Sequence, residues 1–444
     1  MKKLFYLWTA GIILLAFSCK HDDPDDVYKT YPLAVELVYP ATGAYQAAEG
    51  VTVTLTNTSD SKVMEAKTDA RGVAKFTVTA GVYDASATEN RSGDGVAFVL
   101  NGAKRGITVT DKWTGTENVK LQLEESKLSQ VIIKEVFYGG TPKDDGSGSF
   151  PFDKYVILYN NSSLPASLDN ICLGITLPYN PHGTNNDYIN DQLFYEAEGW
   201  CPAGQGFWYF REPVTLQPYS KLVIALNNAV DNTQTYSKSI NFAHPEYYCT
   251  YDIEVYDNKN YYPAPSDLIP VSHYLKARHY GKGNGWSFST TGPAFFIFAP
   301  DGQTIEQFGA DATNLNDYGG GQMRKKVPVA WVLDGVEIFF QGSNNNKKRL
   351  NAVIDAGYVF GTNKKGYSIY RNVDKAATEA IKENEGKLVA HYAMGTQDID
   401  GGSTDPSGID AEASIKNGAK IVYMDTNNSS KDFHQRKEAS LRYR

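Results

Sequence analysis

The chain has 444 residues, 41% of them apolar, with 30 Tyr, 20 Phe, 6 Trp and 39 Gly against 4 Cys and 5 Met, and a formal net charge of −8. That length predicts about two to three domains, and the aromatic, turn-rich composition excludes a helical cytosolic enzyme in favour of an exported β-rich protein. The acidic balance argues against nucleic-acid binding by phosphate neutralisation, since Arg324-Lys325-Lys326 and Lys347-Lys348-Arg349 are too short to reverse it.

At the N-terminus, Lys2 and Lys3 precede an apolar run from Leu4 to Phe17 and the small residue Ser18. Residues 1–18 therefore read as a secretory signal rather than a membrane-spanning helix. Cys19 directly after Ser18 resembles the acceptor of a bacterial lipobox, whose thiol receives diacylglycerol and becomes residue one. Leu15-Ala16-Phe17-Ser18-Cys19 differs from the common pattern in placing the aliphatic residue four positions before the Cys. Several acyl chains on Cys19 would anchor the chain well beyond the reach of a single lipid. Loss of Lys2 and Lys3 with the signal takes the charge from −8 to −10.

Residues 19–30 are then the lipidated Cys and an acidic tether. Lys20-His21-Asp22-Asp23 is a solvated spacer by composition, and it also resembles the export signal that sends Bacteroidetes lipoproteins to the outer face of the outer membrane. The expected location is the outer membrane, facing the exterior. Beyond Cys19 only Cys172, Cys201 and Cys249 remain, so one disulfide in any of three pairings and three buried free thiols are both open.

Residues 31–124 read as short strands with turn signals. Val51, Val53 and Leu55 alternate with threonines as in a half-buried strand, and Asp69-Ala70-Arg71-Gly72 and Ala80-Gly81 mark expected hairpins. Val51-Val53-Leu55, Thr68-Asp69-Gly72-Ala74-Phe76 and Gly81-Tyr83 resemble the prealbumin-like, or carboxypeptidase-regulatory-like, β-sandwich. The resemblance implies a spacer domain.

The seam Glu124 to Lys127 opens a second domain, residues 128–444. Strands are expected at Val131 to Tyr138, Tyr155 to Tyr159, Phe207 to Phe210, Lys221 to Leu226, Ala294 to Phe298 and Trp331 to Phe339, and one helix at Asp374 to Glu385. Long polar and aromatic insertions separate them at 175–206, 228–290 and 395–420. Ile133, Glu135, Val136, Tyr138-Gly139-Gly140, Asp153-Lys154-Tyr155, Leu158-Tyr159-Asn160 and Ile171 to Gly174 resemble the start of a lamin-tail-like, immunoglobulin-type sandwich. Gly366-Tyr367-Ser368 and Asp425 to Phe433 resemble its closing strands. As a whole the mature chain resembles the Bacteroidetes lipoprotein family known as domain of unknown function 4876. The expected fold is mostly β: a prealbumin-like β-sandwich, then a larger immunoglobulin/lamin-tail-like sandwich with long loop insertions.

Motifs for metal hydrolysis, disulfide exchange, an α/β-hydrolase elbow or a P-loop are missing from the text. Asp398, Asp400 and Asp405 around Gly401-Gly402 are the candidate Ca²⁺ ligands, set against an ordinary solvated Asp/Gly loop. His273 and His279 are the candidates for a haem or metal site, although a spacing of six fits one face of neither helix nor strand. Tyr247, Tyr248, Tyr261, Tyr262 and Trp286 complete a candidate groove for a glycan or an extended peptide, with burial as core the competing reading. Glu135, Asp153 and Lys154 read as scaffold.

The functional expectation is a non-catalytic binding lipoprotein that needs no cofactor. The resemblance implies service to a TonB-dependent uptake system, with its transporter as partner. The alternatives are a hydrolase with its site in the 175–290 insertions and a metal- or haem-capturing lipoprotein.

Overall fold

A computed structural model describes residues 29–41, 45–60, 62–93, 96–127, 129–397 and 403–443. The signal segment, Cys19 and most of the tether lie outside the described residues, as do Asp398 and Asp400.

Thr30–Val38, the first strand, buries every second side chain, which is what a strand with one face on a core requires. It pairs antiparallel with Val73–Thr79 and parallel with Val119–Gln122. A second sheet orders Val63–Lys67, Thr52–Asn57, Gly81–Gly93, Val96–Val109 and Glu124–Lys127. The inner faces close on Leu33, Val35, Val53, Leu55, Phe76 and Tyr83. Neither expected hairpin forms. Val63–Lys67 and Gly81–Gly93 belong to one sheet and Val73–Thr79 to the other, so both turns carry the chain across the sandwich. The first holds its shape because Asp69 accepts from the N–H groups of Arg71 and Val73 and Gly72 takes φ +77°.

The second body is a larger sandwich of two six-stranded sheets. One sheet runs Tyr248–Cys249, Lys221–Ala225, Tyr155–Asn160, Val131–Phe137, Ser368–Arg371, Phe433–Arg436. The other runs Lys276–His279, Gly206–Tyr209, Cys172–Ile175, Ala294–Phe298, Val332–Phe340, Val359–Gly361. Ile133, Val156, Leu158, Ile224, Trp208, Phe295, Ile297 and Ile338 pack between them. The central strands are buried on both faces, because the insertions fold back over the outer surfaces. Phe242, Ile240 and Leu441 cover Tyr155 and Val223 on one side, while Phe308, Val327 and Leu350 cover Phe207 and Phe296 on the other. The expected helix is a single turn, Lys375–Glu379, capped by Asp374 and followed by a 3-10 turn at Lys382–Asn384.

The two sandwiches touch at polar points. Asn101 donates to the Thr426 carbonyl at 2.8 Å, and Arg105 reaches the Tyr188 hydroxyl at 3.3 Å.

Candidate functional site

The 228–290 insertion carries the aromatic residues singled out in the sequence, and the structure sorts them into two groups. In the first, Tyr248 lies on the edge strand Tyr248–Cys249, held parallel to Ile224 and Ala225. The 3-10 turn Val271–His273 brings His273 onto its ring, with centroids 4.1 Å apart and planes 14° from parallel. Phe210 meets Tyr248 edge-on at 5.4 Å, and His273 Nδ1 sits 3.2 Å from the Tyr247 carbonyl oxygen. Both stacked rings are half-buried. On the same segment, Val271 is 64% and Leu268 60% exposed, so this side of the insertion presents rings and apolar side chains to solvent.

The second group is Tyr261, Tyr262, His279 and Trp286, gathered with Tyr256 and Trp208 at one end of the sandwich. Trp286 donates its indole N–H to the Gly206 carbonyl, and its backbone N–H to the Tyr262 hydroxyl. This group is chiefly core. Tyr262 and Trp286 are 1% exposed and Tyr247 is 3% exposed, so these three are packed inside instead of lining a groove. Trp286 and Tyr262 satisfy their polar atoms within the cluster, while among the described residues the Tyr256 hydroxyl and the Trp208 indole N–H are buried without a partner.

The two histidines have separate neighbours, Tyr248 for His273 and Tyr256 for His279, so they do not form a facing pair. Asp405 is buried and accepts from the N–H groups of Val373 and Ser407, which leaves it acting as a loop anchor. Among the described residues no three His, Cys, Asp or Glu side chains gather where they could hold one metal ion. The three later cysteines are buried free thiols.

Buried charges are numerous and mostly paired. Arg349 grips Glu337 through Nε at 2.8 Å and Nη2 at 2.6 Å, and donates to the carbonyls of Tyr179 and Gly292. Lys134 bonds Glu412 at 2.7 Å inside a cage of Tyr159, Tyr370 and Tyr423 rings, and the lysines beside Glu412 hold its carboxyl well below the usual range against the opposing effect of burial. Glu135 accepts from the N–H and hydroxyl of Ser440, and Asp153 accepts from Asn232 at 2.9 Å. These contacts fix loops to sheets and leave no open acid–base pair in this set. Two surface hollows of about 470 and 440 Å³, one at Glu379–Leu388 and one between Tyr209–Pro213 and Gln303–Glu306, are lined by none of the singled-out rings.

Lys154 departs from this pattern, and the sequence reading passed over it as scaffold. It shares parity with Val156 and Leu158, so it points between the sheets. Its ammonium lies 4.3 Å from the centre of the Phe288 ring, with no carboxylate beside it among the described residues. The signal available in the text was a lysine directly before an all-apolar strand.

Comparison with known proteins gives a family match over part of the chain and a structural likeness. No curated protein matches the chain. A crystal structure of a DUF4876 family protein from Bacteroides thetaiotaomicron VPI-5482 is 19% identical, covering 91% of this chain and 94% of that one with a TM-score of 0.49. Residues 217–390, which include the 228–290 insertion and its stacked pair, match the family described as "Protein of unknown function (DUF4876)".

Proposed function

We propose that this chain is a surface-anchored, non-catalytic binding protein, held to the outer membrane through lipid on Cys19 and serving as accessory to a TonB-dependent type of uptake system. The observation that carries the reading is the Tyr248–His273 stack, set beside exposed Val271 and Leu268 on an insertion anchored to the sheet edge. Half-buried rings on a rigid edge offer apolar area at little conformational cost, which suits a sugar ring or an extended peptide. The closed ion pairs favour binding over acid–base catalysis, because they tie Glu337, Glu412 and Asp187 to basic partners in the interior. The signal segment, Cys19 and the acidic tether support the envelope location.

Affinity capture of the full-length lipoprotein from detergent-solubilised outer membranes tests the reading. Co-purification of a β-barrel transporter that falls at least about tenfold in Tyr248→Ala supports it, a loss of about 1.4 kcal/mol. Capture unaffected by that change, or repeated absence of a transporter, contradicts it.

A further inference from the structure

The hollow of about 440 Å³ between Tyr209–Pro213 and Gln303–Glu306 adjoins the stacked pair. Two consecutive residues of its wall make the connection. The Phe210 ring meets Tyr248 edge-on at 5.4 Å, and Arg211 Nε donates at 3.2 Å to the carbonyl of Tyr274, the residue after His273. The opposite wall is the start of the helix Ile305–Ala310, and it is held firmly: Thr304 and Gln307 cap each other, and Phe308 packs on Phe207 and Phe298 behind it. Asp169 borders a third side, fixed by the Val214 N–H that it accepts at 2.7 Å. Asp169, Glu212 and Glu306 all line this hollow and are exposed, and among the described residues none of them is in an ion pair. Arg211 is the single basic residue in the lining, which leaves three negative charges against one positive. Lys276 and Arg278 stand on the neighbouring strand, opposite Tyr209 and Phe207, and are outside the lining.

We propose that this hollow receives the cationic side chain, arginine or lysine, of an extended peptide whose neighbouring residue on the same side rests on the Tyr248–His273 stack. The inference rests on the reading of that stack as a binding surface, and it names the ligand class. Charge decides between the two ligands that suit stacked rings. A neutral sugar would leave three carboxylates repelling one another across the hollow, whereas a cation relieves that repulsion and takes charge-assisted hydrogen bonds from the same groups. Buried Phe210 and Ile305 give the hollow an apolar floor for the methylene stem of a long basic side chain, with the carboxylates placed for its charged head. Spacing agrees as well. In an extended chain alternate side chains point the same way about 7 Å apart, and Phe210 belongs to both the hollow and the ring cluster, so one short peptide spans the two.

The test is calorimetric titration of the full-length protein at low salt with two probes, the peptide acetyl-Trp-Gly-Arg-Gly-amide and its analogue with neutral citrulline in place of arginine, and with maltohexaose as the sugar. The arginine peptide is expected to bind at least about fivefold more tightly than the citrulline peptide, a preference that falls below about twofold in the double variant Glu212→Gln/Glu306→Gln and shrinks as salt is raised. Tyr248→Ala is expected to weaken both peptides alike, because the stack holds the residue that they share. Equal affinity for the two peptides, a preference that survives the double variant, or no saturation by either peptide up to about 1 mM, whether or not maltohexaose binds, overturns the proposal. Equal affinities that Tyr248→Ala still weakens remove the hollow from the account and leave the stacked pair as a binding surface, so the two readings fail separately.

Discussion

Asp425→Asn is expected to make the protein more stable on the alkaline side of neutrality. Arg371 is buried against three carboxylates: Asp334 in direct contact, Asp425 at 3.4 Å and Asp432 at 3.9 Å. With all three ionised, the interior would hold two uncompensated negative charges, so one acid keeps a proton. Asp334 accepts from the N–H groups of Ile133 and Gly335, and Asp432 accepts from Thr426 and Asn428. Asp425 Oδ2 has no partner, and burial pushes this carboxyl up to about 8, against about 3.9 in an unfolded chain.

The folded state thus holds a proton that the unfolded chain releases. The stability this group contributes is fully present below about pH 4 and is lost as pH rises through about 8. His434 works in the opposite sense: burial pushes it down to about 3, so its contribution is present above about pH 6.5 and is lost as pH falls. The two slopes oppose each other below about pH 6.5. Between about pH 6.5 and 8 Asp425 acts without that offset, at about 1.4 kcal/mol per pH unit or about 2 kcal/mol over the window. Asp334 and Asp432 are raised by burial too, but they remain in the variant, so the difference between proteins isolates Asp425. Urea denaturation of both proteins across this window is the assay. The advantage of Asp425→Asn is expected to grow by about 2 kcal/mol; a difference that stays constant, or a variant that weakens as pH rises, refutes the reasoning.

Three further outcomes are expected. Glu337→Gln leaves the guanidinium of Arg349 buried without its counter-ion and is expected to lose about 3–5 kcal/mol by denaturant midpoint with an unchanged m-value. Lys154→Met removes a buried charge that has a ring but no carboxylate beside it among the described residues, and is expected to stabilise by up to about 3 kcal/mol below about pH 8, an advantage that shrinks as pH rises toward about 10; a less stable variant would contradict the reading. Cys172, Cys201 and Cys249 are buried thiols that burial pushes up, so a thiol reagent is expected to label none of them in the native protein and all three after denaturation.

The strands were legible where the text is a short β-branched or aromatic run. Ala294–Phe298 forms as expected, and Val131–Phe137, Tyr155–Asn160 and Lys221–Ala225 differ from expectation by a residue at an end. Sheet membership was not legible at Asp69–Gly72 and Ala80–Gly81, because a tight turn looks the same in sequence whether the next strand pairs with the last or crosses to the other sheet. Ring burial was hidden for a similar reason. Tyr261 and Tyr262 are adjacent, yet only Tyr262 enters the core, and nothing local separates a Tyr whose hydroxyl accepts from Trp286 N–H from one at the edge. Lys154 was missed because a lysine at a strand start normally turns outward. Its inward direction follows from the register Tyr155↔Ala225, which only the fold supplies.

The central claim concerns the partner of the stacked pair, and proximity labelling on intact cells reaches it most directly. A photocrosslinking residue placed at Val271, beside Tyr248 and His273, is expected to join the lipoprotein to an outer-membrane β-barrel transporter, with crosslinking greatly reduced by Tyr248→Ala. Crosslinking confined to unrelated envelope proteins, or a transporter adduct that forms equally well without the Tyr248 ring, would contradict the account.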